Sequence, residues 1–348
     1  MSGAADGGPT ATSAVVGGRR EEIERIVFFG TPQFAVPTLE ALAASGREPV
    51  LVVSQPAREA GRGRQVRQPP VAQWAQQRGL ALAQPRRVRD PDFLTALRRL
   101  QPDLAVVVAF GQIFRRSLLD LPRLGCVNVH ASLLPAWRGA SPIAAAIRAG
   151  ESETGVTTMQ MEAGLDSGPI LLQRTASIGA TETCGELTER LSRLGAEVLV
   201  ETLEAVAAGT VAPRRQDDAC ATFAPQLSRD DSWLDLSRPA AALHDQIRAH
   251  DPWPGSRVML AGRELMIRRA APGEAGPGGD GEAECSGTSS AFGVVVGPRG
   301  EALAVRCGGG TMLLLLRVQR PGRAPVRGVD LWNGERLRGG ERLAGPTP

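Results

Sequence analysis

Two hydrophobic textures divide this chain. In the first, short uninterrupted apolar runs alternate with stretches of helical spacing. Ile23–Gly30 (IERIVFFG) predicts a buried strand that ends in the turn signal Gly30-Thr31-Pro32. Between Phe34 and Ser45, apolar Val36, Leu39, Leu42 and Ala43 recur at helical spacing. Pro49–Ser54 predicts a second strand, Pro69–Arg78 and Asp92–Leu100 predict helices, and Asp103–Phe110 (DLAVVVAF) and Gly125–His130 (GCVNVH) predict two further strands. Strands that are apolar on both faces and alternate with helices mean a parallel sheet covered on both sides, an α/β domain.

The second texture begins near Ser228. Arg257–Leu260, Leu265–Arg269, Gly293–Val296, Ala302–Cys307 and Thr311–Val318 are short strand-like runs separated by turns, which predicts a small β-barrel. Thr210–Gln226 has little periodicity and reads as a linker. Ala270–Ser290 is rich in Gly and Glu and reads as a disordered segment or surface insertion. The expected organisation is a disordered tail over 1–22, the α/β domain over 23–208, a linker over 209–227 and the β domain over 228–340.

Composition narrows the chemistry. With 348 residues, 42% hydrophobic, the chain can bury two ordinary cores. Its net charge of +3 permits a nucleic-acid partner without demanding one. All the basic charge is arginine. With no lysine there is no lysine Schiff base and no P-loop with its phosphate-binding lysine. The cysteines Cys126, Cys184, Cys220, Cys285 and Cys307 form no C-x-x-C pair, which argues against zinc and against a disulfide framework. The start, Met1–Gly18, lacks the apolar run of a signal peptide, and the longest apolar runs are too short to span a bilayer. The expectation is a cytoplasmic protein.

Three histidines occur, at 130, 244 and 250. In Asn128-Val129-His130, strand alternation puts the amide and the imidazole on one face. The carboxyl ends of parallel strands are where ligands bind in open sheets, so the pair is placed to polarise a carbonyl. A strand-end histidine that caps a turn through a backbone bond fits the same residues. The stretch from Ala131 to Pro142 (ASLLPAWRGASP) follows as a stiff loop, either a pocket wall or a hydrophobic turn. Thr154–Met161 alternates like a strand, and Gly164–Pro169 (GLDSGP) is a turn with Asp166 at its centre. A carboxylate beside an imidazole favours its charged form, whereas an Asx-turn would only close the loop.

Taken together, NVHASLLPAWRGASPI and TGVTTMQMEAGLDSGPIL resemble the 10-formyltetrahydrofolate-dependent formyltransferases. The resemblance implies a Rossmann-like N-terminal domain and a smaller OB-like β-barrel. It implies Asn128, His130 and Asp166 as the catalytic trio, Ser132, Leu133, Leu134 and Pro135 in the folate pocket, 10-formyltetrahydrofolate as formyl donor, and no metal. FFGTPQFAVPTLEAL, VVVAFGQI, LSRDDSWLDLSRPA and IRAHDPWPGS are similar to the tRNA-directed branch of that family. So is the basic stretch Val52–Ala75, whose Arg58, Arg62 and Arg64 would then contact tRNA. That branch implies methionyl-initiator-tRNA as acceptor, a role in translation initiation, and a monomer. Ala57, Glu59, Pro169 and Asp251 stand where the family usually has Asp, Pro, Asp and Asn.

Formyltransferases acting on a nucleotide sugar or glycinamide ribonucleotide would need neither the basic stretch nor the β domain. A hydrolase of the folate and a non-catalytic RNA-binding protein are separable by assay. A dinucleotide dehydrogenase would need the G-x-G-x-x-G that is missing after Gly30.

Overall fold

The computed structural model describes residues 20–60, 65–274 and 292–345. Two compact units share the chain. The first runs through Gly139 and adds Gly155–Ala176 and Glu189–Phe223; the second takes Ala140–Thr154, Ser177–Thr188 and the chain from Ala224 on.

In chain order the first part of the molecule contains β1 (Ile26–Gly30), α1 (Val36–Ala44), β2 (Leu51–Val53), β3 (Arg58–Ala60), β4 (Gln65–Arg67), α2 (Pro70–Gln77), β5 (Leu82–Ala83), α3 (Pro91–Leu100), β6 (Leu104–Val108), α4 (Arg116–Leu119), β7 (Cys126–His130), β8 (Arg138–Gly139), α5 (Pro142–Arg148), β9 (Glu153–Gln160), β10 (Ile170–Ser177) and α6 (Cys184–Ala208). One sheet has the order β10-β9-β7-β6-β1-β2-β5. Its members from β7 to β5 pair in parallel, and β9 runs antiparallel to β7. The chain starts at β1, moves outward to β5, then returns to β6 on the other side of β1. In open α/β sheets such a reversal, here at the carboxyl ends of β1 and β6, is where ligands bind.

The central strands β1, β6 and β7 are fully buried because helices cover both faces. On one face Phe29 meets Phe110 and Phe114 edge-on at 5.4 and 5.0 Å, within a cluster that includes Val107 and Cys126. On the other face α6 lies close to β7: a side chain at Gly195 would come within 2.9 Å of Val129, so only glycine permits this approach. Thr158, opposite Val129, bonds Thr202 of α6 at 2.7 Å. By alternation, Cys126, Asn128 and His130 share the aromatic face, and His130 stands at its carboxyl end.

The second unit follows with β11 (Phe223–Ala224), α7 (Ala240–Ala249), β12 (Ser256–Leu260), β13 (Arg263–Gly273), β14 (Val294–Arg299), β15 (Ala302–Arg306), β16 (Met312–Gln319), β17 (Val326–Arg327), α8 (Gly328–Glu335) and β18 (Leu343–Ala344). Its antiparallel sheet has the order β14-β15-β16-β13-β12-β18. Backbone bonds from Leu343 to Gly293 and from Val295 to Glu341 bring the two ends of that order together, so the sheet curls into a small barrel. Leu243 and Ile247 of α7 and Leu331 of α8 complete its apolar core.

Two local readings change. The segment expected to be disordered from Ala270 begins as strand: Ala270–Gly273 pair with Leu315–Met312, because backbone pairing to an apolar neighbour outweighs a small-residue composition. The remainder, 275–290, lies outside the described residues. The sequence pattern also gave no expectation of the helices α4, α5, α6, α7 and α8.

Candidate active site

β7 delivers Asn128 and His130 to the carboxyl edge. His130 is 6% exposed and Asn128 9%. The Asn128 amide makes no hydrogen bond among the described residues. The His130 ring has an oxygen on each side: Nδ1 lies 3.7 Å from Asp166 Oδ2, and Nε2 lies 2.9 Å from the Trp137 carbonyl. The first is an ion-pair distance, longer than a hydrogen bond. His130 and Asp166 therefore meet, and Asn128 lies two residues before His130 on the same strand face. The alternative for Asp166, a side chain spent on closing its own turn, does not describe it: Oδ2 accepts instead from the distant Gly139 N–H at 2.8 Å. Asp166 itself sits at φ +50, in the left-handed region.

The loop after β7 is built from inside. Thr157, opposite His130 and on its face, donates to the Ser132 carbonyl at 2.6 Å and accepts from the Leu134 N–H at 3.1 Å. Gln173 donates to the Leu134 carbonyl and to Thr157, both at 2.9 Å. Ser132 Oγ donates to the Ala136 carbonyl, and Leu134 packs on Met159 and Ile170. Ser132 and Leu134 are thus buried and consumed in shaping the loop. Leu133 and Pro135 are only half-buried and retain surface for a ligand. Beyond β6, the neighbouring strand end carries Ile113, 89% exposed.

Sequence reasoning did not single out Thr157, Gln173, Arg138 or Gln216. Arg138 is buried; its guanidinium donates to Gln216 Oε1 and, at 2.7 Å, to Asp218. Residues read as a linker lie against the site loops through such bonds: Arg214 pairs its backbone with Ile170 and donates to Gln173, and Thr222 accepts from the Trp137 N–H. Only the strand parity of Thr157 carried a signal in the sequence; the others act across long sequence separations.

The described flanks of the basic stretch form a short hairpin. β3 and β4 pair antiparallel, with Arg58 opposite Arg67 and Glu59 opposite Val66. Arg58 is exposed and donates to Gln55, which donates in turn to the Phe110 carbonyl after β6. Arg62 and Arg64 lie outside the described residues. Among the described residues, no group of His, Cys, Asp or Glu side chains is placed to hold a metal ion. No helix there is long and apolar enough to cross a membrane.

An amide, an imidazole and a carboxylate at the switch edge of a parallel sheet are the kinds of group that group-transfer chemistry uses. The formyl transferase family model matches residues 24–203, and the formyl transferase C-terminal domain matches residues 226–336. The methionyl-tRNA formyltransferase of Anaeromyxobacter dehalogenans (strain 2CP-1 / ATCC BAA-258) is 48% identical over 90% of this chain and 97% of that protein. The one from Stutzerimonas stutzeri (strain A1501) is 47% identical over 90% and 95%. The chain belongs to the methionyl-tRNA formyltransferase family. In fold it is also similar to an N-formyltransferase from Helicobacter canadensis, with a TM-score of 0.61 at 14% identity over 84% of this chain and 99% of that one.

Proposed function

We propose that this protein transfers the formyl group of 10-formyltetrahydrofolate to the free amino group of methionyl-initiator-tRNA, acting as a cytoplasmic monomer. The observation that carries the reading is the Asp166 carboxylate held 3.7 Å from His130, next to the unpaired Asn128 amide at the sheet edge.

The acceptor amine must be neutral to attack the formyl carbon. As it attacks, negative charge grows on the formyl oxygen, and donors fixed beforehand stabilise it most. Asn128 offers a free amide N–H. His130 Nε2 offers the second donor, shared with or released from the Trp137 carbonyl when substrate is bound. Asp166 faces Nδ1 and accepts the proton leaving the amine, directly or through a water; collapse of the tetrahedral centre then breaks the formyl carbon's bond to the folate nitrogen, which takes up a proton as tetrahydrofolate leaves. Leu133, Pro135 and Ile113 supply apolar surface to the folate, on the frame formed by Ser132, Leu134, Thr157 and Gln173. Arg58, Arg62 and Arg64 meet tRNA phosphates, and of the three Arg58 stands exposed on the β3–β4 hairpin.

The test is formylation of charged initiator tRNA with the folate donor, beside a charged elongator tRNA and folate without acceptor. Formyl transfer that strongly prefers initiator tRNA is expected. Equal hydrolysis of the folate with no acceptor present would replace the reading with that of a hydrolase.

A further inference from the structure

Gln216 lies in the stretch that looked like a linker, yet its side-chain amide is fully used. Its Nε2 donates to the carbonyls of Asp166 and Gly168, at 2.8 and 2.7 Å. Its Oε1 accepts from Arg138 Nε and Nη2, at 3.0 and 2.9 Å. Two donors and two lone pairs exhaust a primary amide. Arg138 in turn sits between the two backbone groups nearest the reacting side chains. Trp137 on one side presents its carbonyl to His130, and Gly139 on the other gives its N–H to Asp166 Oδ2. The bonds form a closed ring, from the Asp166 carboxylate through Gly139 and Arg138 to Gln216 and back to the Asp166 backbone.

We infer that Gln216 is a positioning residue, which with Arg138 sets the place of the Asp166 carboxylate against His130. The inference rests on the formyl-transfer reading above. Asp166 occupies a left-handed conformation that a non-glycine residue holds only when its surroundings over-determine it. Gln216 is what over-determines it from the backbone side, and Gly139 from the carboxylate side. Arg138 is 5% exposed, and its charge is met by Asp218 at 2.7 Å, so the donor fork facing Gln216 Oε1 is itself fixed. Without Gln216, the two turn carbonyls and the guanidinium lose a shared partner, and the carboxylate is free to drift by an ångström or so.

The experiment is a double-mutant cycle on kcat, read in single-turnover reactions with enzyme in excess so that slow variants remain measurable. Gln216→Leu is expected to lower turnover by about 10- to 100-fold, the cost of a small misplacement of a reacting group. KM for the folate and for tRNA should stay unchanged. In an Asp166→Asn background the same substitution should cost about twofold or less, because residues acting through one another are not additive. An equal loss in both backgrounds, or no loss in either, overturns the inference while leaving the catalytic trio standing. If Asp166→Asn alone keeps full turnover, the reading of the trio fails and takes the inference with it. Gln216→Glu guards against misfolding. It keeps the shape and the acceptor toward Arg138 but loses both donations to the turn, and it should reproduce the loss and its disappearance in the Asp166→Asn background.

Discussion

The two units each bury a histidine at the end of an element, and the two rings have opposite surroundings. His130 ends β7 with a carboxylate near one nitrogen and a carbonyl near the other. His250 follows the last turn of α7, is 0% exposed, and has no hydrogen-bond partner at either nitrogen. Burial and the Arg148 cation push His250 down to about 4, with Asp231 opposing, so it is neutral at physiological pH. Burial beside a cation therefore keeps this imidazole neutral. His130 differs in having an oxygen acceptor near each ring nitrogen, which is what a donor to substrate needs to be held in place.

The comparison breaks first at turnover. His130→Ala is expected to reduce turnover by ~100- to 1000-fold, about 2.7–4 kcal/mol of transition-state stabilisation, with folate binding retained. His250→Phe, similar in volume and free of unpaired nitrogens, should leave turnover at pH 7 intact. Steady-state formylation by the two variants decides it; similar losses from both would mean that partners do not separate the rings.

Acid stability sharpens the contrast next. The folded His250 titrates near 4 against 6.5 for a free ring, so the unfolded chain takes up the proton first. The stability conferred by neutral His250 is fully present above 6.5 and is lost as pH falls toward about 4. The loss approaches roughly 3 kcal/mol at ~1.4 kcal/mol per unit. Urea midpoints across that range should fall in the parent and flatten in His250→Phe. Parallel curves would show that the buried ring is not the source.

Asp103 supplies the third case, a buried charge whose partners are complete. Burial pushes its carboxyl up, but the N–H groups of Arg25 and Glu24 and the Arg123 guanidinium hold it below the usual carboxylate range. Its contribution is present above that range and lost as pH falls through the lowered value. Asp103→Ala strands two backbone donors, at a cost of about 1–3 kcal/mol, without altering turnover per folded molecule. A chemical-denaturation midpoint unchanged by the substitution would contradict this accounting.

What the sequence made legible follows from how each feature acts. β6 and β7 could be read because apolar runs and parity are local, and parity alone put Asn128 and His130 on one face. The trio with Asp166 needed the resemblance, since nothing local ties residue 130 to residue 166. Gln216, Arg138 and Gln173 stayed hidden because their work is done by hydrogen bonds between residues far apart in the chain, and a glutamine in a loop looks the same whether solvated or saturated. The start of 270–290 was misread for a related reason: strand formation at Ala270–Gly273 is decided by the partner strand β16, not by the residues themselves.

The smallest effect is expected where burial is absent. Arg58 is exposed, and among the described residues its side chain bonds Gln55, itself tied to the carbonyl of Phe110 just after β6. If its role is to meet a phosphate, Arg58→Ala should lower kcat/KM for tRNA by about 3- to 10-fold and make the log–log salt dependence shallower by about 1, with folate KM unchanged. Arg58→Lys keeps the charge but not the planar fork that reaches Gln55, so it separates two contributions. Recovery of tRNA use by lysine would mean that charge on the hairpin suffices. Failure to recover, with the salt slope restored, would mean that the Gln55 link also matters, because it aims β3 from the same strand end that borders the active site.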